Sequence, residues 1–260
     1  MRVLIIAPTN FQSLANSVLV KLLNDSEIEV AGVLVHSFNL SRLKNEYKRD
    51  GKRILHKILN KLILRDKKSL EYGFVTPKRF LVQSGIKANL KLLCESHNIY
   101  FKKVSSFNSA TLAKEMKALN LDIGAFCGGG LLRDNFLKSF SIGVLNCHMG
   151  ILPKYRGMDV VEWPFLENEP QEIGITCHLI DKGIDTGDIL EVARVDSSNF
   201  NNFIELREYL SGVMMELMIK NIDSLKKGNI VKRRQLNSDG RQYFVMHPSL
   251  KRISKNIFNA

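Results

Sequence analysis

The sequence has 260 residues, of which 45% are hydrophobic and 25% charged, as expected for a soluble globular protein that buries a sizeable core. Lys and Arg outnumber Asp and Glu by 38 to 26, which gives a formal net charge of +12. No secretory leader or spanning segment is predicted, since the opening MRVLIIAP has only five apolar residues in a row and no later run reaches spanning length.

Apolar runs alternate with helical patterns along most of the chain. A first strand is predicted at 2–7, followed by a turn at 8–10, a helix at 11–23 and a second strand at 29–35. Further strands are predicted at 100–104, 122–127, 142–147, 173–180 and 189–195, and further helices at 109–119, 132–140, 159–168 and 203–222. The alternation predicts an α/β protein of Rossmann-like form, with a mostly parallel twisted sheet and helices on both faces.

A basic segment interrupts this alternation at about 39–97. Residues 41–103 contain 17 Lys and Arg against 5 Asp and Glu, a charge of +12, whereas the other residues contain 21 of each. In KRILHKILNKLIL, residues 52–64, the apolar residues fall at helical spacing. We therefore predict that this segment is a basic helical insertion, added to a core whose charges sum to zero, within a domain of residues 1–200. Residues 201–260 are predicted to form a helix and a short extension that packs on the same domain.

The basic helix leaves two interpretations open. It has the pattern of a helix that covers the sheet or forms a dimer contact, and this interpretation is favoured. It also has the pattern of a surface that binds nucleic acid or an anionic membrane without catalysis.

The cysteines argue against a zinc or redox motif. Cys94, Cys127, Cys147 and Cys177 form no C-x-x-C pair. Three of them fall in apolar, strand-like runs, where cysteine behaves as a small buried hydrophobic residue. The pattern predicts a reduced, cytoplasmic protein. No metal is expected, because His36, His56 and His97 also lack partners at ligand spacing.

Two polar residues end one predicted strand. In GVLNCHMGILPKYRG, residues 143–157, Asn146 and His148 stand two apart and therefore point to the same side. An Asn can donate to a developing oxyanion, and a neutral His can accept a proton near pH 7. Asp185, in the Gly-rich DKGIDTGDIL, is the candidate carboxylate for that His. Ligands of α/β sheets bind beyond the carboxyl ends of strands, which favours an active site formed by these three residues. The alternative is that they are the ordinary polar end of a strand and a hydrophilic loop.

The stretch NCHMGILPKYRG, followed by GITCHLIDKGIDTGDIL, resembles the folate-dependent formyltransferase family over roughly residues 100–195. That family includes the glycinamide ribonucleotide, methionyl-tRNA and nucleotide-sugar formyltransferases. The resemblance implies transfer of a formyl group from N10-formyltetrahydrofolate to a primary amine. It implies that His148 takes the proton from the amine and that Asn146 stabilises the tetrahedral oxyanion. Asp185 would orient His148 and hold the water or proton that completes collapse.

The resemblance also implies binding residues. The loop CGGGLLRDNF and the loop before Asp185 would close on the pterin, through Gly130, Leu131, Leu132, Asp181, Lys182 and Gly183. Contacts with the acceptor are expected from Asn10, Lys154, Tyr155 and Arg156. Met149 and Gly150 replace the Pro and Ser that the family often has, a departure expected to affect the fit of the amine substrate. His178, in ITCHLI, is interpreted as a packed His on a sheet face.

The resemblance leaves the acceptor to be chosen among three branches. The stretch PTNFQS, residues 8–13, has no Gly, which argues against glycinamide ribonucleotide. Too little chain follows residue 195 for the C-terminal barrel of a methionyl-tRNA enzyme, so no tRNA partner is expected. The expected acceptor is a nucleotide-linked amino sugar, such as dTDP-4-amino-4,6-dideoxyglucose, in O-antigen and lipopolysaccharide synthesis. The ending GRQYFVMHPSLKRI, a predicted short strand and helix, is similar to formyltransferases of bacterial surface-polysaccharide pathways. A homodimer is left open.

Overall fold

The structure is a computed structural model that describes residues 1–37 and 73–259. The helix predicted at 52–64 therefore lies outside the described residues. Seven described strands form one sheet: β1 Arg2–Ala7, β2 Glu29–His36, β3 Phe101–Val104, β4 Leu121–Phe126, β5 Phe140–His148, β7 Gly174–Leu179 and β8 Ile189–Arg194. Two short strands, β6 Tyr155–Gly157 and β9 Arg241–Tyr243, pair with each other in a second sheet.

Eight α-helices accompany the strands within the described residues. They are α1 Ser13–Leu23, α2 Pro77–Gln83, α3 Leu90–Ser96, α4 Ala110–Lys117, α5 Asp134–Leu137, α6 Trp163–Leu166, α7 Phe203–Lys226 and α8 Pro248–Phe258. Asparagine caps the long α7, since the side chain of Asn202 accepts hydrogen bonds from the N–H groups of Ile204 and Glu205. None of these helices combines the length and the apolar character needed to cross a membrane.

The main sheet is mostly parallel, as predicted. Its strand order is β3-β2-β1-β4-β5-β7-β8, and the five strands from β3 to β5 run parallel. The direction reverses at β7, which pairs antiparallel with both β5 and β8. An antiparallel neighbour needs no long crossover helix, and only short elements, namely β6, α6 and a 3-10 turn at Pro170–Glu172, lie between β5 and β7. This reversal places the side chains of β7 directly opposite the end of β5.

The sheet is covered on both faces. Val3 and Ile5 of β1 belong to a core shared with α1, α3 and α7, whereas Leu4 and Ile6 belong to a core shared with α4 and α5. Successive residues of a strand point to opposite faces, so a fully buried strand reads as the continuous apolar run VLIIA. The Rossmann-like arrangement predicted from the sequence is confirmed.

Two predicted helices are much shorter than expected: the helix predicted at 132–140 is reduced to α5, Asp134–Leu137, and Phe140 already begins β5. The sequence predicts a helix over 159–168, but α6 covers only Trp163–Leu166. Asp159 and Asn168 both have positive φ, at 54° and 56°, a left-handed conformation that cannot continue a right-handed helix. The Asp159 side chain instead accepts a hydrogen bond from the N–H of Met246 and pairs with Lys251 at 2.8 Å, which ties this turn to the C-terminal segment.

Candidate active site

Asn146 and His148 lie at the carboxyl end of β5, and Asp185 lies in the loop between β7 and β8. Cys147, between the two polar residues, is 2% exposed and packs in the core on the opposite side. Asp185 adopts a positive φ of 53°, which turns its side chain back toward the sheet. The structure therefore brings together the three residues of the predicted polar trio, Asn146, His148 and Asp185.

His148 is held by a main-chain carbonyl as well as by Asp185. Its Nε2 lies 2.9 Å from the carbonyl oxygen of Tyr155, which can only accept, so Nε2 carries the hydrogen in the neutral ring. Nδ1 is then the nitrogen without hydrogen, and it lies 3.5 Å from Asp185 Oδ2. Burial lowers the pKa of His148, although the charge of Asp185 acts in the opposite direction. The ring is therefore neutral at pH 7 and able to take a proton at Nδ1.

Asp185 is a partly buried carboxylate, with its side chain 15% exposed, and it remains charged. Burial by itself raises its pKa, but the positive charge that His178 and His148 carry when protonated, together with the N–H of Gly157, outweighs that effect, and the pKa falls to about 2. The Gly157 nitrogen lies 2.9 Å from Oδ2. A carboxylate in this position stabilises the imidazolium that forms when His148 accepts a proton.

His178 is a site residue whose role the sequence interpretation missed. It is buried on a sheet face, as interpreted, at 1% exposure. Its Nε2 also lies 3.0 Å from Asn146 Nδ2 and 3.6 Å from Asp185 Oδ1. Nδ1 lies 2.9 Å from the Leu179 carbonyl and donates to it, so Nε2 accepts from Asn146. The signal was present in GITCHLID, a strand that leads straight into the loop of Asp185, but only the register with β5 shows the contact.

A pocket opens between two loops beside Asn146 and Asp185, and His148 is not among the residues that line it. It is lined by Asn146, His178 and Asp185 together with Phe126, Gly130, Leu131, Leu132, Ile180, Asp181, Gly183 and Ile184. Lys182 lines an adjoining opening that it shares with Arg234. Gly128, Gly129 and Gly130 have φ values between 109° and 129°, and a Cβ at Gly129 would lie 2.6 Å from the Phe107 ring. Glycine is therefore required for the path of this loop.

The four predicted acceptor contacts do not line this pocket. Asn10 bonds Asn89 and the N–H of Lys91 and thereby fixes the start of α3. Lys154 pairs with Glu169 at 2.6 Å. The Tyr155 side chain is fully buried, with its hydroxyl on Glu167 and Glu169. Arg156 is 5% exposed and donates to Gln235. Each side chain is thus engaged within the protein, and a role in acceptor binding stays a prediction.

Gly150 packs directly against the ring of His148. A Cβ on Gly150 would lie 2.8 Å from His148 Nε2, 2.8 Å from the Tyr155 carbonyl oxygen and 2.9 Å from Val160 Cγ2. Met149 points to the other side, where it packs on the core and its sulfur lies 4.0 Å from Arg207 Nη1. The lack of a side chain at position 150 therefore leaves the space that the His148 ring and its hydrogen bond to Tyr155 occupy.

Comparison with known proteins identifies related chains. A family model described as formyl transferase matches residues 1–207. Methionyl-tRNA formyltransferase of Thermodesulfovibrio yellowstonii is 35% identical over 123 residues, which cover 47% of this chain and 40% of that relative. The corresponding enzyme of Caldanaerobacter subterraneus is 26% identical over 173 residues, covering 66% and 52%. The chain thus spans about half the length of these curated relatives, or less.

Solved structures share the fold. An N-formyltransferase from Helicobacter canadensis, in complex with folinic acid and dTDP-3-aminofucose, is 18% identical with a TM-score of 0.55 over 94% of this chain and 70% of that one. Glycinamide ribonucleotide transformylase 1 from Symbiobacterium toebii is 16% identical with a TM-score of 0.56 over 91% and 94%. At these identities the likeness shows a common fold.

Proposed function

Because the chain belongs to the formyl transferase family, we propose that it transfers a formyl group from N10-formyltetrahydrofolate to the primary amine of a nucleotide-linked amino sugar. The observation that carries this proposal is the convergence of Asn146, His148 and Asp185 at the end of β5. They meet beside a pocket whose walls combine apolar side chains with the main chain of a glycine loop.

The lining of the pocket has the chemistry of a pterin site, although its volume of about 70 Å³ is below the roughly 300–1,000 Å³ of ordinary ligand pockets, so the two loops would have to separate to admit the ring. Leu132 and Ile180 offer apolar walls for a flat ring, and main-chain groups at 130–132 and 181–183 offer hydrogen-bond partners for its polar edge. N10-formyltetrahydrofolate, as the co-substrate, supplies an activated formyl carbon. The loop residues hold it with that carbon toward Asn146.

His148 acts as the base. Its neutral Nδ1 takes the proton that the amine loses on attack, and the adjacent Asp185 stabilises the resulting positive charge. The Tyr155 carbonyl accepts a hydrogen bond from Nε2 both before and after the proton transfer. The ring therefore keeps one orientation in its neutral and its charged form.

Asn146 stabilises negative charge on the formyl oxygen. Its side-chain nitrogen has two N–H groups, of which one is donated to His178 Nε2. The second is available to the formyl oxygen, and the bond to His178 orients it before the reaction starts. A donor that is fixed in advance loses little energy to reorganisation during the reaction.

Two observations support an amino-sugar nucleotide as the acceptor. The stretch 8–13 lacks glycine. Residues 73–103 carry six Lys and Arg against one Glu, which favours approach of an anionic nucleotide diphosphate. The product of such a reaction is a formamido sugar for O-antigen or lipopolysaccharide assembly.

Methionyl-tRNA is the second candidate acceptor. The specific observation in its favour is that the curated relatives with 35% and 26% identity are methionyl-tRNA formyltransferases. The basic excess of residues 41–103 is also compatible with a polyanion such as tRNA.

An acceptor panel tests the proposal. The full chain is incubated with N10-formyltetrahydrofolate and with dTDP- and UDP-linked amino sugars, methionyl-tRNA or glycinamide ribonucleotide, and tetrahydrofolate formation is followed by absorbance. We expect turnover with an amino-sugar nucleotide, and turnover about 100- to 1,000-fold slower with the Asn146→Ala variant, which serves as the matched control. Turnover with methionyl-tRNA alone would establish the second candidate. If no acceptor is formylated while the protein binds RNA or anionic liposomes at physiological salt, a non-catalytic binding protein replaces both.

A further inference from the structure

The geometry points to Gln235 as a positioning residue for the carboxylate of Asp185. Gln235 lies beyond residue 207, where the family match ends, in the segment between α7 and β9. A positioning role of Gln235 would make this C-terminal segment part of the active site. Its kinetic consequences rest on the proposed function.

Gln235 links the loop of Asp185 to Arg156. Its Nε2 donates to the carbonyl oxygens of Asp185, at 3.2 Å, and Gly187, at 2.5 Å. Its Oε1 accepts from Nη2 of Arg156 at 3.2 Å. The residue is 8% exposed, so its amide is committed to these partners and shielded from water, which strengthens each bond.

Two pairings hold the segment in place. Arg233 and Ile189 exchange both main-chain hydrogen bonds at 2.8 Å across an antiparallel bridge at the start of β8. Further along, β9 pairs with β6 over Tyr155–Gly157. Gly157 packs so closely that a Cβ would lie 2.2 Å from the Tyr243 carbonyl oxygen. The segment thus reaches β6, which provides the Tyr155 carbonyl for His148 and the Gly157 N–H for Asp185.

Asp185 needs such support. Its positive φ is a conformation that non-glycine residues adopt at a cost, and it persists only when surrounding contacts enforce it. Gln235 holds the main chain of Asp185, and Gly157 holds its carboxylate. The charged or titratable groups around that carboxylate are His148 from β5 and His178 from β7, with Arg156 of β6 behind Gln235.

The test variant is Gln235→Glu, which keeps the volume and the acceptor for Arg156 but replaces the amide donor with an oxygen that repels the two carbonyls. Val231→Glu places the same charge on an 85% exposed residue of the same segment and is the control. The first readout needs no activity: the backbone amide resonance of Gly157 reports its hydrogen bond to Asp185 Oδ2. We expect it to move in Gln235→Glu and in Asp185→Asn, and to stay unchanged in Val231→Glu.

The second readout is kinetic. We expect Gln235→Glu to lower kcat about tenfold or more, because small misplacements of a catalytic group cost up to about 100-fold, with the KM for the formyl donor little changed. In the Asp185→Asn background the same substitution should lower kcat less than about twofold, since both changes act through one carboxylate. An unmoved Gly157 resonance, or equal losses in both backgrounds, overturns the inference. If the wild type formylates no acceptor, the proposed function fails, and the resonance alone still decides the role of Gln235.

Discussion

Asn146 and His178 face each other across the antiparallel strands β5 and β7, with Asn146 Nδ2 3.0 Å from His178 Nε2. His178 Nδ1 is occupied by the Leu179 carbonyl, so Nε2 can only accept while the ring is neutral. The contact therefore fixes which end of the Asn146 side chain is the donor. Through His178, the contact connects Asn146, the proposed oxyanion donor, to the same carboxylate, Asp185, that faces His148.

Removal of the Asn146 amide should impair turnover without unfolding the protein. One oxyanion donor typically contributes about 2.7–4 kcal/mol to lowering the barrier, so Asn146→Ala should reduce kcat about 100- to 1,000-fold. The KM for the formyl donor should change little. Turnover is measured as tetrahydrofolate release, and folding by thermal denaturation. Asn229→Ala, at an exposed asparagine after α7, is the control, and equal losses in both variants would contradict the assigned role.

The pH profile should depend on Asp185. His148 must be neutral to accept a proton, and its pKa is lowered from 6.5 by burial, so the wild-type acid limb should lie below pH 6.5. The Asp185 charge raises the pKa of His148, and Asp185→Asn should therefore shift the limb to still lower pH. The plateau should also fall, by about 10²- to 10⁴-fold. The pH dependence of kcat/KM with one acceptor checks both effects; a limb that moves to higher pH would exclude His148 as the base.

The Asp185 carboxylate should also contribute to stability. Its folded pKa, about 2, lies below the unfolded value of 3.8, so its contribution is fully present above about pH 4 and is lost as the pH falls from about 4 to 2. The shift corresponds to about 2 kcal/mol in total. Urea unfolding of wild type and Asp185→Asn should show a difference that shrinks by about 1 kcal/mol between pH 6 and pH 3. A constant difference would mean that the carboxylate is not selectively stabilised in the folded state.

Gly150 should not tolerate a side chain. In Gly150→Ala the new Cβ would lie 2.8 Å from both His148 Nε2 and the Tyr155 carbonyl oxygen, which must separate to make room. We expect a loss of stability of about 1–3 kcal/mol from overpacking, together with a fall in kcat because the His148 ring moves. Gly73→Ala is the matched control, since a Cβ there meets nothing within 4 Å. Full activity of Gly150→Ala would show that the bond to Tyr155 is not needed.

Tyr155→Phe separates a structural role from a role in acceptor binding. The hydroxyl lies 2.8 Å from a carboxylate oxygen of Glu167 and 2.5 Å from one of Glu169, and it donates its one hydrogen to one of these partly buried carboxylates. Hydrogen bonds to charged groups contribute about 1.5–3 kcal/mol, so the variant should unfold at a lower temperature. The KM for the acceptor should stay unchanged. An increased KM with unchanged thermal stability would instead support the acceptor contact that the sequence predicted.

Much of the fold was predictable from the sequence because it depends on local periodicity. Buried strands appear as short apolar runs, and the shared face of Asn146 and His148 follows from their spacing of two. The helix predicted at 159–168 was too long because Asp159 adopts a left-handed conformation to bind Met246 and Lys251. No local pattern announces such a long-range contact.

The sequence by itself determined the α/β order of elements, the polar trio and the family motif, since each is encoded in residues close together along the chain. Only the tertiary structure decided that His178 bonds Asn146, that the Tyr155 carbonyl holds His148 and that Gln235 supports Asp185. These contacts join residues that are 32, 7 and 50 positions apart in the sequence, and they depend on the register of the strands. The register of the strands, and the positions at which distant segments pack against them, are set by the burial of the whole core and by the hydrogen bonds within it. No single stretch of sequence specifies these.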